Sequence, residues 1–225
     1  MDAIQHILYI NLDSRTDRRV QMEQELKKAK LDDRTIRFSA VNMPNLGAIG
    51  CSMSHLKCLQ MAKENKWSHV LILEDDIEFT DIELLNRQLS TFFTHYPINN
   101  DLETGPRNER REIWDVCMLA GNCYQPYEIM EDQGCVKVNR CLTTAAYLVN
   151  GHYYDILIQN IRAGVSQLIN AKQATKKYAI DVFWLSLQES HRWYLINPIT
   201  ITQRAGYSDI ENVCTDFSQH LLELH

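Results

Sequence analysis

The stretch HVLILEDDIEFT, from His69 to Thr80, decides how the rest of the sequence is interpreted. It begins with a nearly continuous apolar run, and such a run is typical of a strand that is buried on both faces of a sheet. Three adjacent carboxylates, Glu74, Asp75 and Asp76, follow that run directly. Like charges so close together repel one another, and shielding from water disfavours their ionisation further. The pattern therefore indicates that a positive charge binds where this strand ends.

The overall composition is that of an ordinary globular protein. The residues are 45% hydrophobic and 23% charged, which is typical of globular proteins. A length of 225 residues is enough for one large domain or two small ones. The net charge of −6 argues against the basic face that nucleic-acid binding needs. The start, MDAIQHILYINLD, lacks the basic region and the cleavage site of a signal peptide, and no apolar run reaches about 18 residues. We therefore expect no transmembrane segment and a cytoplasmic location.

The seven cysteines are an odd number, which argues against a complete disulfide framework. Two pairs each have five intervening residues, a spacing that fits no common zinc site: Cys117 with Cys123, and Cys135 with Cys141. We expect buried free thiols, which indicate a reducing compartment.

Strand and helix patterns alternate over the first 76 residues. Apolar runs predict strands over 7–12, 34–41 and 69–76, and helical periodicity predicts helices over 18–31 and 51–66. This order is typical of an α/β fold with a mostly parallel, doubly wound sheet.

Short polar stretches predict how these helices begin. Asp13 or Ser14 is placed to cap the first helix, and Gly47 and Gly50 predict a tight turn before the second. Three polar residues are then expected to open that second helix, whose free N–H groups favour an anion: Ser52, Ser54 and His55. The alternative is that Ser52 only caps the helix and that His55 is a histidine with its hydrogen bonds satisfied inside the protein.

The second half of the chain is less regular. The sequence predicts a helix over 81–96, a polar and mobile loop over 97–112, and a strand over 113–122. A strand or short helix is expected from 141, followed by a turn at 150–151 and a helix. The stretch 162–177 is ambiguous, and a helix over 178–190 and a strand broken by Pro198 come after it. A single domain over 1–225, with a nucleotide-type N-terminal half and an irregular C-terminal half, is the simplest organisation.

The three carboxylates suggest a cation site. Ligands of open α/β sheets bind beyond the carboxyl ends of the strands, where these acids lie. Side chains alternate in an extended chain, so Glu74 and Asp76 are expected to face the same side. Two hard oxygen donors suit Mg²⁺ or Mn²⁺, completed by phosphate oxygens of a substrate. The alternative is that these acids cap the following helix or face solvent.

Two other functions fit parts of the same stretch. DIEFT, from Asp76 to Thr80, approximates the loop of haloacid dehalogenase-type phosphatases, in which Asp76 would be the nucleophile. However, Glu78 stands where that loop has an aspartate, and the stretch follows the third predicted strand rather than the first. A catalytically inactive nucleotide-binding domain is the other alternative.

Four blocks in order resemble glycosyltransferase family 25: YINLDSRTDRR, FSAVN, LGAIGCSMSHLKCLQMA and VLILEDD. Three later blocks, TTAAYLV, AIDVFW and QRAGYSDI, are similar to its looser ones. The family includes bacterial lipooligosaccharide and collagen hydroxylysine galactosyltransferases. The resemblance implies a GT-A fold, a UDP-sugar donor, Mn²⁺ or Mg²⁺ held by the acidic motif, and inversion at the anomeric carbon. A hexose, galactose or glucose, would pass to a hydroxyl of a glycan, glycolipid or protein.

The resemblance also assigns a donor side, within a nucleotide-sugar-binding half over 1–80. Asp76 is the first metal ligand and Glu74 the second, while Glu74 or Asp75 could instead contact the ribose or a metal-bound water. The positions expected to bind the donor are Asn11, Leu12, Arg15, Ala40, Val41, Ser54, His55, Glu74, Asp75 and Gln203. For Arg15 and Arg18 a phosphate contact and an exposed helix start both fit.

Inversion needs a general base opposite the leaving group, in an acceptor half over 113–225. Asp181 is our candidate, because its apolar neighbours in YAIDVFWL would raise its pKa. A helix N-cap is the alternative for Asp181. Asp209, close to Gln203 and Ser208 in QRAGYSDIEN, is the second candidate. Four aromatic side chains could stack on an acceptor or fill the core: Trp184, Trp193, Tyr194 and Tyr207.

Overall fold

The computed structural model describes residues 1–98, 113–171, 176–208, 210, 213–216 and 220–225. The strands are β1 Ile7–Asn11, β2 Thr35–Ser39, β3 His69–Glu74, β4 Ile77–Phe79, β5 Val116–Cys123, β6 Tyr127–Met130, β7 Cys135–Val138, β8 Cys141–Asn150, β9 Trp193–Ile196, β10 Ile201–Gln203, β11 Gly206–Ser208 and β12 Val213–Thr215. The α-helices are α1 Thr16–Lys28, α2 Gly47–Glu64, α3 Ile82–His95, α4 Tyr154–Asn170, α5 Ile180–Phe183 and α6 Leu185–Gln188.

One eight-stranded sheet forms the centre of the fold, in the order β2-β1-β3-β8-β5-β9-β7-β6. β8 is antiparallel to both of its neighbours, and so is β7. The other six strands therefore run in the same direction, and the sheet is mostly parallel, as predicted. Two small antiparallel pairs, β10 with β4 and β11 with β12, lie outside it.

Helices cover both faces of this sheet. Along β1 and β3, alternate residues point to opposite faces, and both strands are buried along nearly their whole length. Ile7 and Leu71 face a core cluster that includes α1 and α3, whereas Leu8 and Ile72 face a cluster that includes α2 and α4. Burying each such side chain contributes about 1.5–3 kcal/mol, so these strands stabilise the position of the acids that follow β3.

The first helices of the chain differ in how their N-termini are capped. Asp81 caps α3, because its carboxylate accepts a 2.8 Å hydrogen bond from the Leu84 N–H. At α1 the predicted caps are wrong, since Arg15 is the N-cap and no side chain caps that end. Asp13 accepts hydrogen bonds from the Arg37 guanidinium and the Ser39 hydroxyl on β2 instead.

The predicted tight turn before α2 is wrong. Gly47 and Gly50 both lie inside α2, and Ser52 and Ser54 follow its first turn, each donating to the carbonyl four residues earlier. Glycine is needed at position 50 for close approach, because a Cβ there would lie 2.6 Å from the Val41 carbonyl oxygen. Packing, and not a turn, explains this glycine.

The remaining elements agree with the broad pattern. The stretch from 141 is a strand, α4 continues to Asn170, and the helix expected over 178–190 is divided into α5 and α6. Pro198 separates β9 from β10, as predicted. Of the predicted loop over 97–112, residues 99–112 lie outside the described residues.

The cysteines are free thiols, as expected. Five of the seven are buried, Cys51 is half-buried and Cys214 is exposed. Within the described ranges, no helix combines the length and the apolar character needed to cross a membrane.

Candidate active site

A cavity of about 770 Å³ lies at the carboxyl ends of β1, β2 and β3. Its volume is within the range of sites that bind ligands of nucleotide size. Most of the side chains singled out in the sequence line it: Leu12, Arg18, Ala40, Val41, Ser54, His55, Glu74, Asp75, Asp76, Asp181, Gln203 and Ser208.

The three carboxylates make different contacts. Gln203 donates from Nε2 to Glu74 Oε2 and to Asp76 Oδ1, both at 3.2 Å, so these two acids face a common partner as the alternation predicts. Thr144 donates its hydroxyl to the other Glu74 oxygen. Asp75 instead accepts a 2.6 Å hydrogen bond from the Asn11 amide.

A guanidinium from α1 already contacts this cluster. Arg18 Nη1 lies 3.0 Å from Asp75 Oδ1 and 3.0 Å from Asp76 Oδ2. Arg18 Nη2 donates at 2.9 Å to the Tyr207 carbonyl on β11. Part of the positive charge that the sequence calls for is therefore supplied by Arg18, which lines the cavity and is not an exposed helix start.

The carboxylates differ in their tendency to ionise. Burial raises the pKa of Asp76 to about 7, and the nearby charge of Glu74 adds to this effect. Burial also raises the pKa of Asp75, against the opposing hydrogen bond from Asn11 and the charge of Arg18. At Glu74, burial is outweighed by His55 and Thr144, which lower the pKa. The raised pKa values of Asp75 and Asp76 reflect unfavourable negative charge at a buried site, which an added cation would offset.

The residues present fit a hard divalent cation. Glu74 and Asp76 offer carboxylate oxygens at the cavity wall, which is the donor chemistry that Mg²⁺ and Mn²⁺ prefer. Glu74 also belongs to a second group, in which its oxygen and ligand atoms of Cys51 and His55 lie within 4.8 Å of one another. Burial raises the pKa of the Cys51 thiol far above its usual value, which disfavours the thiolate that metal binding requires.

Asn11 and Arg15 do not line the cavity. Asn11 is buried, and its Nδ2 donates to Asp75 and to the Arg15 carbonyl, while Arg37 donates to its Oδ1 at 2.9 Å. The guanidinium of Arg15 pairs with Asp17 at 3.0 Å. Asn11 therefore positions Asp75 rather than lining the cavity, and Arg37 is a supporting residue that the sequence analysis missed.

The chain after β2 forms another wall of the cavity. Ala40 donates its N–H to the Asn11 carbonyl, and Val41 donates its N–H to Ser54 Oγ at 2.8 Å. The Ser54 hydroxyl in turn donates to the Gly50 carbonyl at 2.7 Å. Ser54 thus uses its hydrogen bonds to hold this wall in place against α2.

His55, on α2, is buried and contacts Glu74. Its Nε2 lies 3.4 Å from Glu74 Oε1, and its Nδ1 is hydrogen-bonded to the Tyr147 hydroxyl at 2.8 Å. The Tyr147 contact orients the ring, since a hydrogen bond to one imidazole nitrogen sets how the other is presented. His55 therefore supports Glu74 and does not open the helix.

Asp181 lies on the cavity wall in the first turn of α5. Ala179 is the N-cap of that helix, so Asp181 does not cap it. The carboxylate accepts a 3.2 Å hydrogen bond from the Thr143 N–H. Burial raises the pKa of Asp181, and the charge of Glu74 contributes. A carboxylate with a raised pKa beside a ligand cavity has the properties of a general base.

The structure places the four aromatic residues that were candidates for stacking on an acceptor, but it does not describe Asp209. Trp184, Trp193 and Tyr194 are buried in the core, whereas Tyr207 is exposed. Asp209 lies outside the described residues. Asn122, Thr143 and Thr144 line the cavity and were missed as site residues, although TTAAYLV was noted as a block. No local pattern marks them.

Comparison with solved structures shows the fold. A glycosyltransferase involved in the glycosylation of the major capsid of PBCV-1 aligns over 92% of this chain and 95% of its own, with 11% identity and a TM-score of 0.52. A Drosophila beta-1,4-galactosyltransferase 7 mutant, in complex with manganese, UDP-Gal and xylobiose, aligns over 99% and 81%, with 9% identity and a TM-score of 0.48. A search of curated proteins found no match to the sequence.

The fold is the GT-A fold of glycosyltransferases, as predicted. The profile described as "Glycosyltransferase family 25 (LPS biosynthesis protein)" matches residues 42–163, which is more than half of the chain. The chain belongs to glycosyltransferase family 25. The matched range excludes the block YINLDSRTDRR and includes TTAAYLV. Membership of this family removes the phosphatase alternative.

Proposed function

We propose that this glycosyltransferase moves a hexose, galactose or glucose, from a UDP-sugar to a hydroxyl of a glycan, glycolipid or protein. The transfer inverts the anomeric carbon and depends on a divalent metal, Mn²⁺ or Mg²⁺. One observation carries the proposal: the paired acids Glu74 and Asp76 and the isolated acid Asp181 line the same cavity. The identity of the donor rests on the family resemblance.

The donor would bind against the ends of β1, β2 and β3. Leu12, Ala40 and Val41 form an apolar and backbone surface on which a nucleoside could pack. Glu74 and Asp76 would hold the metal, which when bound stabilises negative charge on the departing diphosphate as a Lewis acid. Arg18 lies close enough to the same acids to contribute positive charge to the diphosphate site.

Asp181 would act as the general base. The acceptor oxygen forms a bond to the anomeric carbon while the bond from that carbon to the diphosphate oxygen breaks. The acceptor proton passes to the Asp181 carboxylate, and UDP leaves with the bonding electrons. The raised pKa makes this carboxylate a stronger base than an exposed aspartate, and a positioned general base typically contributes 10²–10⁴-fold to the rate.

This assignment gives the two halves of the chain different roles. Residues 1–80 would supply the donor half and residues 113–225 the acceptor half of a single domain. The free, mostly buried thiols remain consistent with a cytoplasmic enzyme, which is part of the proposal.

Thermal unfolding with UDP and Mn²⁺, separately and together, tests the donor site. A ligand that binds only the folded state raises Tm. We expect a clear rise only when both are present, because the metal would bind between the acids and the diphosphate of UDP. Asp76→Asn should abolish that joint shift. Asp13→Asn, on the surface beside β1, is the matched control and should keep it. A joint shift that Asp76→Asn leaves intact would refute the assignment of the metal ligands.

Release of sugar from a panel of UDP-hexoses then separates an active enzyme from an inactive nucleotide-binding domain. An active transferase hydrolyses or transfers at least one of the donors. Binding of UDP with Mn²⁺, but with no turnover of any donor, would support the inactive domain instead.

A further inference from the structure

A bulge in β8 contacts both Glu74 and Asp181 in the candidate active site. Asn122 pairs with Leu142, and Ala120 pairs with Ala146, so β8 has two residues more than β5 between these pairs. Bulges of this kind re-aim side chains and are common beside active sites. Within the bulge, Thr144 donates to Glu74 and Thr143 donates its N–H to Asp181. One irregularity therefore supports both the donor acid and the candidate base.

Thr143 has an unusual backbone conformation. Its φ of +86° lies in the left-handed region, where a β-branched residue is an outlier and is held only by its surroundings. This conformation directs the Thr143 N–H to Asp181 at 3.2 Å. It also places the Thr143 hydroxyl 3.2 Å from Asn122 Nδ2. Strain of this type at a cavity wall is a marker of functional positioning.

Asn122 has a polar atom without a partner. Its Nδ2 donates to Thr143, but its Oδ1 is buried and has no hydrogen-bond partner among the described residues. Whichever way the amide is turned, one end pairs with Thr143 and the other is left unsatisfied. A buried unsatisfied polar group costs free energy, which a ligand that hydrogen-bonds it recovers. Asn122 is half-buried and lines the cavity, so its side chain borders the space that a ligand would occupy.

We propose that Asn122 and Thr143, beside Asp181, form a subsite for a sugar ring of the acceptor. In this subsite the Asn122 amide binds a hydroxyl next to the one that is glycosylated. A sugar hydroxyl matches the site because it both donates and accepts, and can therefore pair with either end of the amide. The inference rests on the proposed function and narrows the acceptor to molecules that present a sugar ring with a free neighbouring hydroxyl.

Direct binding of simple sugars tests the subsite. Methyl glycosides of galactose, glucose and N-acetylglucosamine are titrated into the protein with UDP and Mn²⁺ present, and binding is followed by NMR. For the glycoside that binds best, single deoxy analogues identify the hydroxyl that matters. We expect one deoxy analogue to bind about tenfold more weakly, because sites that hydrogen-bond a hydroxyl discriminate against its loss.

Variants then connect that hydroxyl to Asn122. Asn122→Ala should weaken the parent glycoside about tenfold and should no longer distinguish it from the critical deoxy analogue, because the two deletions remove the same interaction. Thr143→Ala should weaken binding several-fold, and Thr143→Ser, which keeps the hydroxyl, should restore it. The control is Asn150→Ala at the far end of β8, which removes another asparagine with one unpaired amide atom, its Nδ2, and should bind glycosides normally.

The outcomes also separate this proposal from the donor proposal. The affinity for UDP with Mn²⁺ should stay within twofold of wild type in Asn122→Ala. If no glycoside binds the wild-type protein, or if Asn122→Ala binds the parent and the deoxy analogue as the wild type does, the subsite is refuted. If glycosides bind as expected but UDP with Mn²⁺ does not bind, the subsite stands and the donor assignment fails.

Discussion

Replacing Asp76 by asparagine should make the metal-free protein more stable at neutral pH. In the folded protein the pKa of Asp76 is about 7, against an ordinary value of 3.8, because the carboxyl is buried next to Glu74. A raised pKa means that the folded state holds its proton more tightly than the unfolded state does. The stability contributed by the protonated form is complete below about pH 4 and is lost as the pH rises through about 7. Asparagine is neutral at every pH and avoids this loss.

The magnitude follows from the size of the pKa difference. A difference of about 3 units corresponds to about 4 kcal/mol at 1.36 kcal/mol per unit. The Asp76 side chain is still 16% exposed, so solvent screens part of the effect and we take about half of this value. A gain of about 2 kcal/mol raises the Tm of a protein of this size by about 4–8 °C.

Thermal unfolding in a chelator, at pH 8 and near pH 4, measures the effect. We expect Asp76→Asn to unfold at the higher temperature at pH 8, and the difference to nearly vanish near pH 4. Asp13→Asn is an opposite-sign control, because hydrogen bonds from Arg37 and Ser39 lower the pKa of Asp13. A lower Tm for Asp76→Asn at pH 8, or a difference that does not depend on pH, would refute the reasoning.

Three further predictions concern the same cavity. Asp181→Asn should lower kcat by about 10²–10⁴-fold with little change in the affinity for UDP. The wild-type rate should rise with pH through the raised pKa of Asp181, and transfer assays stopped at fixed times check both expectations. Tyr147→Phe should weaken Mn²⁺-dependent UDP binding about tenfold in calorimetry, because it frees the His55 ring; unchanged affinity would contradict this. Gly50→Ala should destabilise the fold by about 1–3 kcal/mol in urea unfolding, although alanine usually favours a helix, because its Cβ would meet the Val41 carbonyl.

The sequence was sufficient for the part of the site that depends on local pattern. β3 could be predicted from its apolar run, and the acids after it had to lie at a carboxyl edge because the strand is parallel to β1. The shared Gln203 contact of Glu74 and Asp76 follows from strand alternation. These features need only neighbouring residues and the general geometry of parallel sheets.

The cavity wall formed by Asn122 and Thr143 could not be predicted in the same way. The β8 bulge arises from pairing with β5, so nothing within TTAAYLV reveals which of its residues leaves the ladder. The role of Asn122 depends on a hydrogen bond to Thr143, 21 residues away. Gly50 was misinterpreted because glycine is used both for turns and for close contacts, and only packing against Val41 distinguishes these uses.

The position of Arg18 has a consequence for the proposed metal binding. Since a guanidinium already neutralises part of the acid cluster, a divalent ion bound as proposed would replace part of an existing positive charge and would not enter a site of unbalanced negative charge. On this proposal the acid cluster has a positive partner in the folded protein before a metal binds, unlike in small domains whose ligands come together only around the ion. The same guanidinium donates to the Tyr207 carbonyl, so the proposed exchange would also alter a contact of β11.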